Sequence, residues 1–581
     1  FQDGLGTTMS VNDCDILSSE RSGGAILIYE AYPTIMYNRF LNNGGGENTG
    51  GNVVASVANG GAISHYDTDD VEFDEDRNNS SGELTFVDFA DMDAVDAYIL
   101  ERALDSDESR SNRTVPGTLV IQNNYFEGNS SGNGENVYSH GYEGDIDVSG
   151  SVFEDIDCET NTVNEFVLSS IENAADFVQN DISGGCIISN TFYVFVGGDD
   201  SNDGTEETPL KTIGHALTLV RDAETPTTIY LNAGVYSPST NGEKFPIVLP
   251  DNVHLIGDES ENTILDAEAD AGNEAAVMII KEVENVRVAN LTLTGGYAEG
   301  HGCTGGGGIL VTADDMYNLN GEKEPNNTVL ENLIIENNHS HNGGGVSFFR
   351  VEGPSISNAI IRNNTASFHG GAIFSYISNT TVTDVEMHDN ECLGIPWGGF
   401  NDVGHGGGFF LADGEGTFTG LNIHDNEAAM HGGGMGSAGS ANWTLTNSTI
   451  SNNVGPWLGG GLWLWDANYG ENPTITNVTI EDNWASISGG GFLSNYSNPV
   501  FENCTIQNNE ATGAGGGLCF WGGCSPVITD CVISGNSGTG NGGGVHTEGD
   551  AITMTRTFVV DNQGGNFIGG INVSGSDATF N

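Results

Sequence analysis

Apolar and polar residues alternate in short stretches that recur through the second half of the chain. In the stretch NVTIEDN, Val478 and Ile480 fall on one side of an extended backbone, whereas Thr479 and Glu481 fall on the other. The same step of two separates the apolar residues of six further stretches: Leu333/Ile335, Ala359/Ile361, Val385/Met387, Leu421/Ile423, Cys504/Ile506 and Cys531/Ile533. A period of two predicts β-strands that each bury one face.

These strands lead into an asparagine, then into two or three glycines followed by an apolar residue. The asparagines are Asn338, Asn364, Asn390, Asn426, Asn453, Asn483, Asn509, Asn536 and Asn562. They are separated by 26, 26, 36, 27, 30, 26, 27 and 26 residues, which is one repeat of 26 or 27 residues with two insertions. A fixed period of this size is typical of solenoids. Because no helical period lies between the strands, the pattern predicts an all-β parallel β-helix with about three strands per coil.

The asparagines and glycines are interpreted as architecture. An asparagine stacked in every coil can hydrogen-bond to the amides above and below it and tolerates a left-handed turn, so these residues predict an internal structural ladder. The glycines suit a tight corner where neighbouring backbones approach closely or φ is positive. A phosphate-binding loop is disfavoured, because the lysine and serine or threonine that it requires after the glycines are absent.

A first β-helical segment is predicted at residues 1–190. The sequence GGAI occurs at 23–26 and again at 60–63, which indicates looser repeats of the same kind. An acidic insertion interrupts them at about 66–115, and its apolar residues recur at three- and four-residue steps that predict an amphipathic helix.

A second β-helix is predicted at residues 191–581. It begins with an N-terminal cap at 191–250 and continues with coils of about 26 or 27 residues from about 251 onward. The cap includes an amphipathic helix near 211–221, which is expected to cover the otherwise open end of the core.

Composition narrows the functional classes. The chain has 81 acidic and 15 basic residues and a formal net charge of -66, which argues against nucleic-acid or anionic-membrane partners. No apolar run is long enough for a transmembrane helix. The strongly acidic balance fits a secreted protein in salty or calcium-containing water. The start at FQDGLG and the end within a coil predict a processed or truncated part of a larger protein.

Nine cysteines in 581 residues are too few for a disulfide scaffold. Cys504 and Cys531 occupy the same inward position in adjacent coils, and Cys519 and Cys524 flank the loop FWGG. Both spacings permit a disulfide and neither requires one.

Three motifs resemble known families. The segment GDDSNDGT at 198–205, followed by P-x-K-T-I, resembles the N-terminal entry of secreted right-handed β-helix proteins of the pectate-lyase-like superfamily. The GGAI and F-x-x-N repeats resemble those of polymorphic outer-membrane proteins, which are surface adhesins. The coils are similar to N-x-T-I-x-x-N…GGG arrays of large secreted bacterial proteins. The resemblance implies a right-handed parallel β-helix at an extracellular or cell-surface location.

Two enzymatic functions are possible on a β-helix of this kind. A polysaccharide lyase needs a basic residue to take a proton and a cation to neutralise its substrate, but Arg350 and Arg362 are the only basic residues of 301–581 that lie close in sequence. A glycoside hydrolase needs two carboxylates on one face, and the HD pairs of adjacent coils supply them: His388, Asp389, His424 and Asp425. The other motifs of polygalacturonases have no counterpart.

The favoured function is a non-catalytic scaffold or adhesin, with an extracellular glycan or copies of itself as the expected partner; the alternative is a carbohydrate-active enzyme. Trp463 and Trp465 alternate with Leu462 and Leu464, so the indoles are expected to face outward if the leucines face the core. Together with Trp521 they form the candidate ligand-binding residues, because exposed aromatic residues mark recognition surfaces.

A calcium site is predicted at the entry of the second β-helix. Asp199, Ser201 and Asp203 alternate before Gly204, as in the first half of a calcium-binding loop. The expected later glutamate is missing, because Leu210 holds its place, and an ordinary turn is the alternative. No organic cofactor is expected.

Histidines precede the glycines in three successive coils, at His369, His405 and His431, and His341 lies one position earlier in the preceding coil. Stacking in register would bring these imidazoles about 5 Å apart. A shared transition metal is one interpretation, and an exposed row that is protonated in mild acid is the other.

Overall fold

The computed structural model describes residues 190–581 except 221–225, 282, 300–304, 313–323, 396–402, 466–471, 549–550, 566–567 and 575–577. Before residue 190 it describes only short segments between 10 and 178, together with residue 182.

The chain forms two compact units. The first comprises Phe1–Ser189 and Gly214–Arg221, and the second comprises Asn190–Ile213 and Asp222–Asn581. Each unit is built from parallel sheets in which the paired strands come from successive coils.

The described residues of the first unit form three parallel sheets. One joins the strands Ser10–Asn12, Thr34–Met36, Leu119–Gln122, Ile146–Asp147 and Phe177–Val178. The next joins Asp15–Leu17, Arg39–Leu41, Tyr125–Glu127 and Val152–Phe153. The third joins Ile26–Tyr29, Ile63–Tyr66, Val137–His140 and Phe166–Ser169.

Equivalent side chains of adjacent coils stack on each other in this unit. The rings of Phe126 and Phe153 lie parallel with centroids 4.8 Å apart. The helix expected within the acidic insertion at about 66–115 lies outside the described residues. The helix predicted near 211–221 is present but shorter, spanning Ile213–Thr218.

The described residues of the second unit form four parallel sheets, which we number in the order that the chain meets them. Sheet 1 contains the strands Thr191–Val194, Thr227–Leu231, Val253–Gly257, Arg287–Ala289, Glu324–Pro325, Val329–Glu331, Val351–Ser357, Asn379–Thr383, Glu415–Thr419, Asn442–Thr446, Thr474–Thr476, Val500–Glu502, Val527–Thr529, Ile552–Thr555 and Ala578–Phe580. Sheet 2 contains Gly234–Tyr236, Thr263–Asp266, Thr292–Thr294, Ile334–Glu336, Ile360–Arg362, Glu386–His388, Asn422–His424, Thr449–Ser451, Thr479–Glu481, Thr505–Gln507, Val532–Ser534 and Phe558–Val560.

Sheet 3 contains Ile247–Val248, Met278–Lys281, Ile309–Thr312, Val346–Phe349, Ile373–Tyr376, Phe409–Ala412, Met435–Ala438, Leu462–Trp465, Phe492–Asn495, Leu518–Trp521, Val545–Glu548 and Ile571–Ser574. Sheet 4 contains Tyr297–Ala298, His339–Asn342, Thr365–His369, Glu391–Cys392, Glu427–Ala428, Val454–Gly455, Trp484–Ala485, Glu510–Ala511, Ser537–Gly538 and Gln563–Gly564. The predicted parallel β-helix is thus confirmed. The prediction of three strands per coil missed the short strand between the asparagine and the glycines, which forms sheet 4.

The core lies between the inward faces of these sheets. Ile480 is fully buried and pairs in register with Ile450 in the preceding coil and Ile506 in the following coil. Burying an aliphatic side chain of this size contributes about 2 kcal/mol, so the repeated inward column supplies much of the stability of the coils.

The asparagines stack as a continuous ladder. From Asn338 to Asn562, each side-chain amide donates from Nδ2 to Oδ1 of its counterpart in the next coil, over 2.9 to 3.1 Å. The left-handed conformation belongs to the residue before the ladder asparagine, as at Asn363, Asp389 and Asp482. This corrects the sequence-based prediction that the ladder asparagine itself takes the left-handed turn. It also explains why the preceding position varies among asparagine, aspartate and glycine, which tolerate positive φ.

The glycine blocks form the corner that leads into sheet 3. In the block before Phe492, Gly489 has a φ of 68°. A Cβ placed on the next residue, Gly490, would lie 2.4 Å from the carbonyl oxygen of Glu510. One glycine of the block therefore supplies positive φ, and the next one permits close approach of neighbouring backbones.

The described cysteines, Cys392, Cys504, Cys519, Cys524 and Cys531, are buried free thiols. Cys504 and Cys531 do stack in adjacent coils, and the backbone N–H of Cys504 lies 3.4 Å from Sγ of Cys531.

Candidate functional site

A column of outward-facing side chains on sheet 3 contains two of the three candidate tryptophans. The strand register places Trp465, Asn495 and Trp521 at the same position in three successive coils. Trp465 is 40% exposed, and Trp521 is partly buried. Since coils lie about 4.8 Å apart, the two tryptophans are separated by about 10 Å along the helix axis, with Asn495 between them. We call Trp465, Asn495 and Trp521 the tryptophan column.

Two polar atoms of this column lack partners. Within the described part of the chain, neither the indole N–H of Trp521 nor Oδ1 of Asn495 has a hydrogen-bond partner, although both atoms are shielded from solvent. Buried polar atoms are normally paired, and an unpaired one costs about 1–3 kcal/mol. The column thus combines exposed aromatic surface with one unpaired donor and one unpaired acceptor, which a ligand can reach only if their side chains turn outward.

Trp463 does not belong to the exposed surface. Leu462 and Leu464 face the core as expected, and Trp463 faces away from it, but its side chain is only 6% exposed. The imidazoles of His405 and His431 stack against its indole, with ring centroids 4.8 and 4.7 Å away. The expectation of an exposed indole is therefore wrong for Trp463, whose ring centroid lies 6.4 Å from that of Trp465. It lies beside the column on the same outward face of sheet 3.

The remaining tryptophans lie elsewhere. Trp443 is buried and donates from Nε1 to Oγ of Ser437. Trp457 is 50% exposed at the corner before the glycines, and Trp484 is partly buried on sheet 4. Trp397 lies outside the described residues.

The corner histidines stack as the repeat predicts. The ring centroids of His369 and His405 are 4.9 Å apart, as are those of His405 and His431, with interplanar angles of 13° and 3°. His341 packs instead on Phe368, at 4.9 Å.

Nitrogen lone pairs lie in the plane of each ring, so parallel rings cannot direct them toward one shared ion. Among the described residues no group of three or more metal-binding side chains is placed to hold a metal. The shared transition metal is therefore not supported. The expectation of an exposed row is wrong too, since His405 and His431 are buried.

The His–Asp pairs of sheet 2 form a network that includes a residue the sequence did not single out. His388 and His424 stack in register with ring centroids 5.0 Å apart. The Nδ1 atom of each imidazole lies 2.7 Å from the neighbouring aspartate, Asp389 or Asp425. Nε2 of His424 lies 3.0 Å from Oε1 of Glu386, which is 38 residues away in sequence and one coil away in space.

This network favours the charged form of His424. Burial lowers the pKa of His424, but the hydrogen bonds and negative charges of Asp425 and Glu386 outweigh burial and raise it overall. The hydrogen bond to His424 in turn lowers the pKa of Glu386. The arrangement is an exposed set of ion pairs that could also transfer a proton.

The predicted calcium loop is held by its own hydroxyl groups. Oδ1 of Asp199 accepts hydrogen bonds from the backbone N–H and the hydroxyl of Ser201, at 3.0 and 2.8 Å. Asp203 accepts from the hydroxyl of Thr208. These bonds lower the pKa of both aspartates. Calcium binding at this loop stays a prediction.

Sequence reasoning missed a further cluster around Glu299. Its carboxylate lies 3.1 Å from Nε2 of His339, 3.5 Å from Nδ1 of His341, and accepts a hydrogen bond from Ser367 at 2.9 Å. The ring of Tyr297 stacks on His339 at 4.5 Å. These partners belong to three coils, and only the exact coil register could have brought them together before the structure.

Comparison with protein families gives two matches. A family described as a right-handed β-helix region matches residues 407–581, and a family of proteins of unknown function, DUF1565, matches residues 196–455. Fold and family match together define the class of this protein as a right-handed parallel β-helix. A search of curated proteins found no match. No helix in the described part of the chain has the length and apolar character needed to cross a membrane.

Several solved structures show a weak similarity to this chain. The A-module of mannuronan C-5 epimerase AlgE6 from Azotobacter vinelandii is 12% identical, with a TM-score of 0.29 over 61% of this chain and 91% of that one. The pectate lyase Pel9A is 12% identical, with a TM-score of 0.27 over 66% and 79%. A GH136 lacto-N-biosidase from Eubacterium ramulus is 12% identical, with a TM-score of 0.25 over 67% and 68%. At these values the likeness says nothing about what this chain binds.

Proposed function

We propose that the protein is a non-catalytic extracellular or cell-surface scaffold that binds a glycan along the tryptophan column. The observation that carries the proposal is the exposed indole of Trp465 in register with Trp521, with unpaired polar atoms on Asn495 and Trp521.

The chemistry of the column suits a carbohydrate. A sugar ring presents an apolar face and a rim of hydroxyl groups, and binding sites for such molecules combine aromatic surface with a few fixed polar groups. Once the side chains of Asn495 and Trp521 turn outward, the hydroxyl groups can donate to Oδ1 of Asn495 and accept from Nε1 of Trp521. Because Trp465 and Trp521 are separated by two coils, about 10 Å, they offer two aromatic positions to sugars of one extended chain.

Charge indicates which glycans are favoured. The formal net charge of -66 repels polyanionic polysaccharides unless a divalent cation screens the carboxylates. A neutral glycan is the preferred ligand on this argument, and binding of a uronate polymer should require calcium.

The competing function is a carbohydrate-active enzyme, and the network on sheet 2 is the observation that favours it. Asp389 and Asp425 occupy equivalent positions in adjacent coils, about 5 Å apart, a separation typical of the two carboxylates of retaining glycosidases. Each is already held by its own histidine. A carboxylate that is already hydrogen-bonded to its own histidine is less available to a substrate.

One experiment separates these functions. The purified chain is applied to an array of neutral and acidic glycans, with calcium or with chelator, and each retained glycan is incubated with the protein and examined for cleavage by mass spectrometry. Retention of intact glycans supports the scaffold. Cleavage that His424→Gln abolishes would establish the enzyme instead. If no glycan is retained and the sedimentation coefficient rises with protein concentration, the binding partner is another copy of the chain and not a glycan.

A further inference from the structure

A row of histidines lies at the corner before sheet 3, in the three coils that precede the coil of Trp465, and two of the three, His405 and His431, are buried. His369, His405 and His431 pair as successive members of one parallel backbone ladder, which continues to Leu458 and Ser488 in the next two coils. His405 and His431 clamp the indole of Trp463, and Trp463 lies beside Trp465. The row therefore reaches the proposed binding surface through a single side chain.

We propose that this histidine row is an acid-sensitive support for the tryptophan column: neutral imidazoles hold Trp463 in place, and their protonation in mild acid releases it and weakens ligand binding. The effect on the ligand rests on the proposed function, whereas the support itself does not.

Packing explains why the neutral form is required. His405 and His431 are 4% and 6% exposed. The ring of His369 stacks on Phe410 at 4.5 Å, and that phenylalanine belongs to a buried cluster that also contains Trp463. An imidazolium in apolar surroundings loses its hydration, and a second one 4.9 Å away adds repulsion between like charges.

Two charged groups are seen near the row in the described part of the chain, and both lie toward His341. The carboxylate of Glu299 approaches His341 and His339. The guanidinium of Arg350 lies over the ring of Phe349, 5.7 Å from its centroid. At the other end His431 meets the edge of Trp457, which carries no charge. The carboxylate of Glu299 thus lies at the His341 end of the row, whereas His405 and His431 face aromatic rings.

The direction of the pH effect follows from His369. Burial first, and then the neighbouring His405 and His341, hold the pKa of His369 well below its ordinary value. A histidine whose pKa is lower in the folded state takes up its proton more readily when the support opens. The support is therefore at full strength above pH ~6.5 and weakens as the pH falls from there toward the folded-state pKa. Leu458 and Ser488 do not titrate, so the effect is confined to the coils that carry histidine.

Hydrogen exchange tests the support without any ligand. Backbone exchange of 403–412 and 461–465 is measured at pH 7.5 and pH 5.5 and corrected for the intrinsic dependence of exchange on pH. We expect protection in both segments to fall at least tenfold at pH 5.5 in the parent protein. It should stay within twofold in the double variant His405→Leu/His431→Leu, which copies the residue found at Leu458. His388→Gln, outside the row, should respond like the parent.

Unchanged protection in the parent protein at pH 5.5 would overturn the proposal, as would an equal response in the double variant. If the double variant does not fold, the imidazole resonances of the parent decide the question. Titration of His369 with a midpoint at or above pH 6.5 would overturn it, and a midpoint well below 6.5 together with the loss of protection supports it.

A second arm links the support to binding. Affinity for a glycan retained in the array is measured at both pH values, and we expect it to fall at least fivefold at pH 5.5 in the parent but not in the double variant. If exchange responds to pH and no glycan binds at either pH, the support stands and the proposed function fails. If glycan binding is equally strong at both pH values although exchange responds, the link from Trp463 to the column is overturned.

Discussion

The side chain of Asn483 donates from Nδ2 to Oδ1 of Asn509 in the next coil across 3.0 Å. The same Nδ2 also donates to the carbonyl oxygen of Ile450 at 2.9 Å. Its Oδ1 accepts from both the backbone N–H and the amide of Asn453. One buried side chain thus satisfies groups in both neighbouring coils, which is why the repeat keeps asparagine at this position.

Replacing Asn483 by alanine should destabilise the second β-helix by about 3 kcal/mol, because several buried polar groups lose their partner at once. Chemical denaturation measures the change. Glu510→Ala, an exposed position in the next coil, should cost less than about 0.5 kcal/mol. Equal effects of the two substitutions would show that the ladder does not hold the coils together.

The close approach of backbones at the glycine corner predicts that a side chain is not tolerated there. In Gly490→Ala the new methyl group would meet backbone atoms of Glu510 and Gly516 within 2.5 Å. The backbone must shift, and we expect a loss of at least about 2 kcal/mol. Gly570→Ala is the matched control, since its nearest neighbour would be a side-chain carbon of Val559 at 3.9 Å. Similar unfolding midpoints for both variants would contradict the close approach.

The fold could be predicted in advance because its signals are local and repeated. The alternation around Ile480 and the asparagine of every coil lie within one short segment, and nine copies establish the register. The short strand Glu427–Ala428 was missed because two residues carry no detectable period.

The binding surface was harder to predict. That Trp463 faces away from the core follows from its alternation with Leu462, but the covering rings of His405 and His431 come from two earlier coils. The partner of His424 was missed for the same reason, since Glu386 precedes it by a whole coil with an insertion between them.

The stability contributed by the network on sheet 2 should depend on pH with the opposite sign to that of the histidine row. The pKa of His424 is raised in the folded state, so the stability that its ion pairs contribute is present below pH ~6.5 and is lost as the pH rises through the folded-state value. His424→Gln should therefore lower the melting temperature more at pH 5.5 than at pH 8.5. Ser451→Ala, the next position in the same column, should show no such difference. A constant effect of His424→Gln across this range would contradict the ion pairs.

Calcium binding at the loop of Asp199 and Asp203 is tested by removing both carboxylates. If calcium binds there, the melting temperature of the parent protein should rise by several degrees when calcium replaces chelator, and Asp199→Ala/Asp203→Ala should lose that rise. Asp258→Ala is an acidic control outside the loop. An identical melting temperature of the parent in calcium and in chelator would show that the loop is an ordinary turn that does not bind calcium.

The most direct test of the account is the affinity of one retained glycan for three single variants, measured by calorimetry at pH 7.5. Trp465→Ala and Trp521→Ala should each weaken binding at least tenfold, because each removes aromatic surface from the column. Trp457→Ala should leave affinity within twofold. This indole is also half-exposed, but it lies at the corner before the glycines and outside the tryptophan column. Loss of binding in Trp457→Ala with full affinity in the two column variants would contradict the assignment of the tryptophan column as the binding surface.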